Sequence, residues 1–242
     1  MVSKNALLIF PLYEELFSNL INEKFVLDKY GGKVVELIAP KVVLDPSETF
    51  IDFLTRFSPR KYIEKETRWY DSKSLSIDLV NDVKIWNNVS DINEEINSNY
   101  GNLAFSRNNF SQFDNALQSL LSHNESRQAI IVYTRPSIHY EWNSHGASDF
   151  ICTNYQQFFI RNNKLHCVTS MRSNDCWTGT FNDIPWFHLV IQRMMESLLG
   201  HGLEDLRYGD HIFIPNSFHC YEKHFDKLVE LVNDTRKELD YE

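Results

Sequence analysis

Four separated groups of residues carry types that could do covalent chemistry together. Cys152 closes Asp149-Phe-Ile-Cys152, just ahead of a strand-like run. Cysteine is the most nucleophilic of the ordinary side chains, and it departs easily once its work is done. Met171-Arg172-Ser173-Asn174-Asp175 follows, and its Arg-Ser pair can bind a phosphate by charge-assisted and hydroxyl hydrogen bonds. A guanidinium near the thiol would also favour the thiolate. Gly179-Thr-Phe-Asn182-Asp183 opens a helix, and His219-Cys-Tyr221-Glu-Lys-His224 lies near the C-terminus. Upstream stand Glu66, within Glu-Thr-Arg-Trp-Tyr70, and Tyr100, within Ile96-Asn-Ser-Asn-Tyr-Gly101.

The elements that must position these groups are mixed. Apolar spacing predicts helices over residues 13–24, 60–72, 110–121, 186–199 and 224–237, with Leu16, Leu20 and Ile21 sharing one face of the first. Asp28 to Lys33 reads as a polar turn before a strand at Val34–Ile38. Ala129–Tyr133 has a buried-strand pattern. Gln156–Ile160 and Leu165–Thr169 read as a hairpin turning at Arg161-Asn-Asn163. No regular βαβ alternation appears, so the expected class is α+β, in one domain over residues 1–242.

Composition narrows the partners. The chain has 242 residues, a net charge of −9 and 14% aromatic residues. An acidic protein has no general pull toward nucleic acid, so a phosphate would be met by a local basic cluster and belong to a small nucleotide. The four cysteines, Cys152, Cys167, Cys176 and Cys220, lack CxxC spacing, which argues against disulfides or structural zinc and for a reducing cytoplasm. The apolar N-terminal stretch stops at Pro11 and runs into acids. It is no convincing signal peptide, and no run is long enough to span a bilayer. His219 and His224 resemble a metal pair, but no third ligand is near them in sequence, and no metal is expected.

Each residue also has a plainer reading. Cys152 could be a small core residue, Asp183 a helix cap, Arg172 the partner of a surface carboxylate, and Glu66 a solvated charge. The tryptophans Trp86, Trp142, Trp177 and Trp186 read individually as core, with Trp86 a partial exception. Cys167, Cys176 and Cys220 read as packing residues, and His224 as structural.

Taken in order, the groups resemble the thymidylate synthases. They are more similar still to the deoxycytidylate 5-hydroxymethyltransferases of T-even-type bacteriophages, through Ser72-Lys-Ser-Leu75, Ile96–Gly101, Tyr133-Thr-Arg-Pro-Ser137 and Met171–Asp175. The likeness covers nearly the whole chain. It implies a thymidylate synthase-like fold, a mixed sheet flanked by helices, with sheets packed back to back in a homodimer that shares its active sites. It implies Cys152 adding to C6 of a pyrimidine, so that C5 attacks the one-carbon unit of 5,10-methylenetetrahydrofolate.

The other roles follow from the same resemblance. Arg172 and Ser173 would bind the 5′-phosphate, with Lys29 where thymidylate synthases carry an arginine. Arg127 would reach the partner's phosphate, although the usual Arg-Arg pair reads Arg127-Gln128 here. His219 and Tyr221 would hold the deoxyribose. Glu66 would order a water for proton transfer, Asp175 and Trp86 would line the folate pocket, and Tyr100 would lie near the C5 proton. The family's Pro-Cys-His is replaced by Ile151-Cys152-Thr153, so that Asn154 or a water would take over polar contacts there.

Asp183 stands eleven positions after Arg172, where thymidylate synthases read uracil with an asparagine. A carboxyl matches the N3 and N4 edge of cytosine instead, which favours dCMP, whereas a one-residue slip to Asn182 would restore a uracil reader. The chain ends Asn233-Asp-Thr-Arg-Lys-Glu-Leu-Asp-Tyr-Glu242, without the apolar tail that closes the thymidylate synthase site, which favours water over hydride in the last step. The expected product is 5-hydroxymethyl-dCMP, destined for phage DNA and made in the host cytoplasm. Reductive methylation of dUMP or dCMP, dUMP hydroxymethylation, and a non-catalytic nucleotide-binding role stay open. So does membership of a larger dNTP-synthesising assembly.

Overall fold

The computed structural model describes residues 2–53 and 60–240; the last two residues of the charged C-terminal run lie outside them. Helix α1 (Lys4–Ile21) starts nine residues before the segment marked out by periodicity, and Ser3 caps it by accepting from the Ala6 N–H. Pro11 sits inside it. Proline has no N–H to give the carbonyl of Leu7, and Leu7 is on the exposed side, where water can serve that oxygen. The apolar N-terminal stretch is thus a packed helix whose Ala6, Ile9, Phe10, Tyr13 and Leu16 are buried.

The expected mixed sheet is two sheets in one chain. The four-stranded one runs β1 (Val26–Leu27), β2 (Lys33–Ile38), β9 (Ser217–Tyr221), β7 (Asn174–Asp175). The five-stranded one runs β3 (Val42–Leu44), β8 (Arg207–Pro215), β6 (Lys164–Met171), β5 (Thr153–Arg161), β4 (Ile130–Val132). The β6–β8 and β7–β9 pairs are parallel and the rest antiparallel. The expected hairpin is present and longer than read. Arg161 pairs with Lys164 across Asn162 and Asn163, both at positive φ (51° and 56°), the two-residue turn that suits strand twist.

The sheets meet along a line of kinks. β2 passes into β3 at Ala39, which has a left-handed φ of 49°; β8 passes into β9 at Asn216; β6 passes into β7 at Arg172-Ser173. Backbone bonds run along that line. Ala39 N–H donates to Asn216 O (2.9 Å), Asn216 N–H to Met171 O (2.7 Å), and Arg172 N–H to Cys152 O (2.8 Å). The thiol and the guanidinium therefore stand side by side because Arg172 sits where β6 leaves one sheet for the other and its N–H is bonded to the Cys152 carbonyl. Strands that bend there re-aim side chains that would otherwise lie flat in a ladder.

Helices complete the site. α2 (Arg60–Ser72) and α5 (Gln112–Ser122) match the expected segments closely; α3 (Lys84–Val89), α4 (Tyr100–Phe105) and α6 (Ile138–Glu141) are short; α8 (Phe225–Asp240) closes the chain. α7 (Thr180–Gly200) begins six residues before its apolar periodicity does, with Pro185 tolerated near its start. Its buried Ile184, Trp186, Phe187, Val190, Ile191 and Met194 centre one contiguous hydrophobic cluster. Cys167, Cys176 and Cys220 are fully buried, as packing residues should be.

Candidate active site

Cys152 is half-buried at the mouth of β5. Burial pushes its thiol up to about 11; Arg172 pulls it down, and Asp183 and Asp149 push it further up. The Arg172 guanidinium donates to Phe150 O (2.6 Å), to Ile151 O (3.0 Å) and to the Cys152 Sγ (3.5 Å), and lies 4.8 Å over the Phe150 ring. Arg172 is thus held by backbone carbonyls against the nucleophile rather than given to a surface carboxylate, and it is exposed enough to meet an anion. Ser173 follows it, half-buried.

Asp149 ties the cysteine loop to Tyr100. Its carboxylate accepts the N–H groups of Asn97 (2.7 Å) and Ser98 (2.8 Å) and the Ser98 hydroxyl. The next residue, Asn99, caps α4 by accepting from Asn102 N–H, and Tyr100 begins that helix. Tyr100 is buried, stacked on Tyr70 at 5.3 Å and edge-on to Tyr133 at 5.1 Å. Burial and then the charges of Asp183 and Cys152 hold its hydroxyl protonated, which places all three groups in one neighbourhood.

Asp183 does not cap α7. It lies within the helix, and its own N–H bonds back to Gly179 O (2.8 Å). Its Oδ2 accepts from the Asn174 side chain at 2.9 Å, and Asn174 is oriented in turn by the Thr180 hydroxyl, which donates to its Oδ1 at 2.5 Å. Burial, then the nearby charge of Glu66, push the Asp183 carboxyl well above the usual range, while Asn174 pulls the other way. Asn182 turns elsewhere: its amide donates to Thr178 O at 2.7 Å. Only Asp183 of the two adjacent candidates is tied electrostatically to Glu66, Tyr100 and Cys152 in these contacts.

Glu66 is buried, and desolvation raises its carboxyl to about 7 despite a bond from Tyr62. Tyr62 O–H donates to Oε1 at 2.7 Å and accepts from Trp86 Nε1–H at 3.0 Å. Trp86 is half-buried and 4.9 Å from Trp69, with Ile85 and Leu79 exposed.

On the four-stranded sheet, Asp175 is opposite His219. The Asp175 carboxylate accepts Trp177 N–H (2.7 Å), Thr178 N–H (3.3 Å) and the Thr178 hydroxyl (2.9 Å), so it also shapes its own turn. His219 Nδ1 lies 3.0 Å from the Ser217 hydroxyl, its ring is edge-on to Tyr221 at 4.8 Å, and burial lowers its pKa. Burial raises the Tyr221 pKa, and Asp175, Cys152 and Asp28 raise it further, so the 28–33 turn is near this end of the site. Lys29 in that turn is exposed, 4.9 Å over its neighbour Tyr30. His224 is buried, with Nδ1 3.8 Å from Asp175 Oδ2, in keeping with a structural role.

Two expected contributors lie outside the cluster. Arg127 is exposed ahead of the edge strand β4, beside a polar cavity of about 560 Å³ shared with Asn115, Gln118 and His123. Asn154 spends its amide on Ser170 Oγ at 3.1 Å, within the sheet. Sequence reading missed Tyr62, Asn174 and Asp149 as positioning groups. The spacing of Tyr62 and Glu66, four apart on one helix, was the available signal for the first; the other two bonds join distant segments. Among the described residues no group of three or more His, Cys, Asp or Glu could hold a metal ion.

Comparison with known proteins identifies the family and the fold. The family model described as Thymidylate synthase matches residues 13–240. The chain is 38% identical over 209 residues to the Deoxycytidylate 5-hydroxymethyltransferase of Enterobacteria phage T4, covering 85% of this chain and 83% of that one. It is 24% identical over 228 residues to a Thymidylate synthase of Francisella tularensis subsp. holarctica, covering 88% and 81%. The solved structure of thermostable thymidylate synthase A from Bacillus subtilis superposes with a TM-score of 0.68 at 20% identity, over 93% of this chain and 84% of that one. With a family match across nearly its whole length and a phage relative at that identity, this chain belongs to the thymidylate synthase family.

Proposed function

We propose that this enzyme transfers a one-carbon unit from 5,10-methylenetetrahydrofolate to C5 of dCMP with addition of water, giving 5-hydroxymethyl-dCMP and tetrahydrofolate. The observation that carries the reading is the placement of Asp183: half-buried, bound by Asn174, and beside Glu66 and Cys152. A carboxyl held protonated donates to N3 of cytosine and accepts from its N4 amino group. The uracil edge, with N3–H as donor and O4 as acceptor, needs the proton on the other carboxyl oxygen, and the Asn174 bond to Oδ2 favours one placement of that proton over the other. The phage relatives are named for dCMP chemistry, which supports the same substrate.

The residues divide the work. Arg172 and Ser173 take the 5′-phosphate, with Lys29 approaching from its turn. The Arg172 guanidinium lies 3.5 Å from the Cys152 Sγ, so the phosphate-binding group stands beside the thiol that adds to C6. His219 and Tyr221 hold the deoxyribose, and Tyr100 stands near the C5 proton. Glu66, with a carboxyl near 7, can both take and return a proton at neutral pH. The folate supplies a one-carbon unit at the oxidation level of formaldehyde. The half-buried Trp86 with the exposed Ile85 and Leu79 fits a flat heteroaromatic ring, and Asp175 offers a carboxylate beside it. The outer face of the five-stranded sheet (Tyr155, Phe159, Val168, Ile212 and Ile214, all half-buried, with Val43 exposed) is an apolar surface suited to a second copy. In such a homodimer Arg127 reaches the partner's phosphate. Among the described residues no helix is long and apolar enough to cross a membrane, and a cytoplasmic setting suits the free Cys152 thiol.

The test is product mass from dCMP and methylenetetrahydrofolate, with folate absorbance followed in parallel. A hydroxymethylated nucleotide without dihydrofolate is expected. A methylated nucleotide with dihydrofolate means reductive methylation instead. No product, with nucleotide binding equal in the wild type and Cys152→Ser, means a binding protein.

A further inference from the structure

The hydrogen bonds around Glu66 have only one consistent direction. The indole Nε1–H of Trp86 is a donor only, so the Tyr62 oxygen must accept from it at 3.0 Å. The Tyr62 proton is then committed to Glu66 Oε1 at 2.7 Å. Tyr62 and Glu66 are four residues apart on α2, so the helix itself sets their approach. Burial and the charge of Glu66 hold the phenol protonated, which keeps it a donor.

We propose that Tyr62 is a positioning residue for the reaction: oriented by Trp86, its hydroxyl occupies Oε1 of Glu66 and leaves Oε2 as the oxygen that takes and gives the proton. This rests on the one-carbon transfer reading given above. Its consequence is that a single phenol joins the indole on the folate side to the carboxyl on the proton-transfer side. Donation to Oε1 favours the ionised carboxyl and opposes the desolvation that raises it. The titratable groups facing Glu66 are Tyr62 and Tyr70 on its own helix and Asp183 from α7, with Tyr100 of α4 one ring further, stacked on Tyr70. Removing the phenol proton leaves no donor among these that offsets burial, because Asp183 is engaged with Asn174 and Tyr70 is a buried ring in the aromatic stack.

Tyr62→Phe keeps the ring and deletes the hydroxyl. Two readouts are compared with the wild type: kcat for dCMP against pH, and the titration of the Glu66 carboxyl in the free enzyme by ¹³C NMR, assigned with Glu66→Gln. The acid limb and the carboxyl titration should both move up by about one pH unit, so that kcat falls roughly tenfold near pH 6 and far less near pH 8.5. An equal loss of kcat at every pH, or an unmoved carboxyl titration, overturns the proposal and leaves Tyr62 a packing residue. Should Tyr62→Phe fail to fold, 3-fluorotyrosine at position 62, a stronger donor, must lower both; an unchanged limb overturns it. A wild type that makes no product refutes the reaction instead, and the NMR titration still decides the role of Tyr62.

Discussion

At the scale of single residues, the site works by setting neighbours against burial. Cys152 is protonated in the free protein because the environment that protects it also desolvates it, and Arg172 supplies the opposing charge. Arg172→Gln is therefore expected to act twice, weakening phosphate binding and raising the thiol further. kcat/KM for the nucleotide should fall at least about a hundredfold, and iodoacetamide should alkylate Cys152 more slowly at pH 8. Asp183→Asn exchanges a carboxyl for an amide on the same Asn174 contact and should move preference toward dUMP, read as the ratio of kcat/KM for the two nucleotides. Cys152, Glu66, Arg172 and Asp183 could be singled out in the sequence because of their specific order along the chain, and the fold brings them into one neighbourhood. Asn174 and Asp149 were not, because an amide or carboxyl reveals its partner only when Asp183 or the 97–98 segment is brought beside it.

At the scale of elements, close approach of backbones matters as much as side chains. Gly101, the second residue of α4, packs against α2, where an added Cβ would stand 1.8 Å from Tyr70 O. Gly101→Ala must push the helices apart and disturb the Tyr70–Tyr100 stack, so it should destabilise by about 1–3 kcal/mol and lower kcat, measured by urea unfolding and turnover together. Glycine there was visible in the sequence, but its reason is a tertiary contact. Helices α2 and α5 and the β5–β6 hairpin were readable from periodicity and from Asn162-Asn163. Strand β8 was missed because Asp210-His-Ile-Phe-Ile214 does not alternate polar with apolar, although its burial does from His211 onward. Gly209 and Pro215 break the pattern, and Gly209 is glycine because the His166 ring lies 2.7 Å from where its Cβ would be. The second sheet was also missed: two- and three-residue strands such as β1, β3 and β7 carry no period of their own.

At the scale of the whole molecule, a buried polar chain links the core to its rim. His188 Nδ1 meets Glu48 O at 2.5 Å, so that nitrogen carries the proton; His188 Nε2 then accepts from His211 Nδ1 at 2.9 Å, and His211 Nε2 accepts from the Thr169 hydroxyl at 2.8 Å. Both rings must stay neutral for this to hold. Burial lowers His188 to about 4 and holds His211 well below the ordinary value. An unfolded histidine titrates near ~6.5, so below that pH the unfolded chain binds more protons than the folded one. Stability should be steady above about pH 6.5 and fall as the pH drops toward 4. His188→Gln should flatten that fall relative to its own value at pH 7, measured as urea midpoints across the range; an equal slope in both proteins would show that other groups carry it.

In the proposed reaction one site joins Cys152 chemistry to cytosine reading by Asp183. Tritium release from [5-³H]dCMP and from [5-³H]dUMP, each with methylenetetrahydrofolate, tests it most directly. Release from the cytosine nucleotide alone, abolished in Cys152→Ser, is expected. Release from the uracil nucleotide at a comparable rate, or from neither, would contradict it.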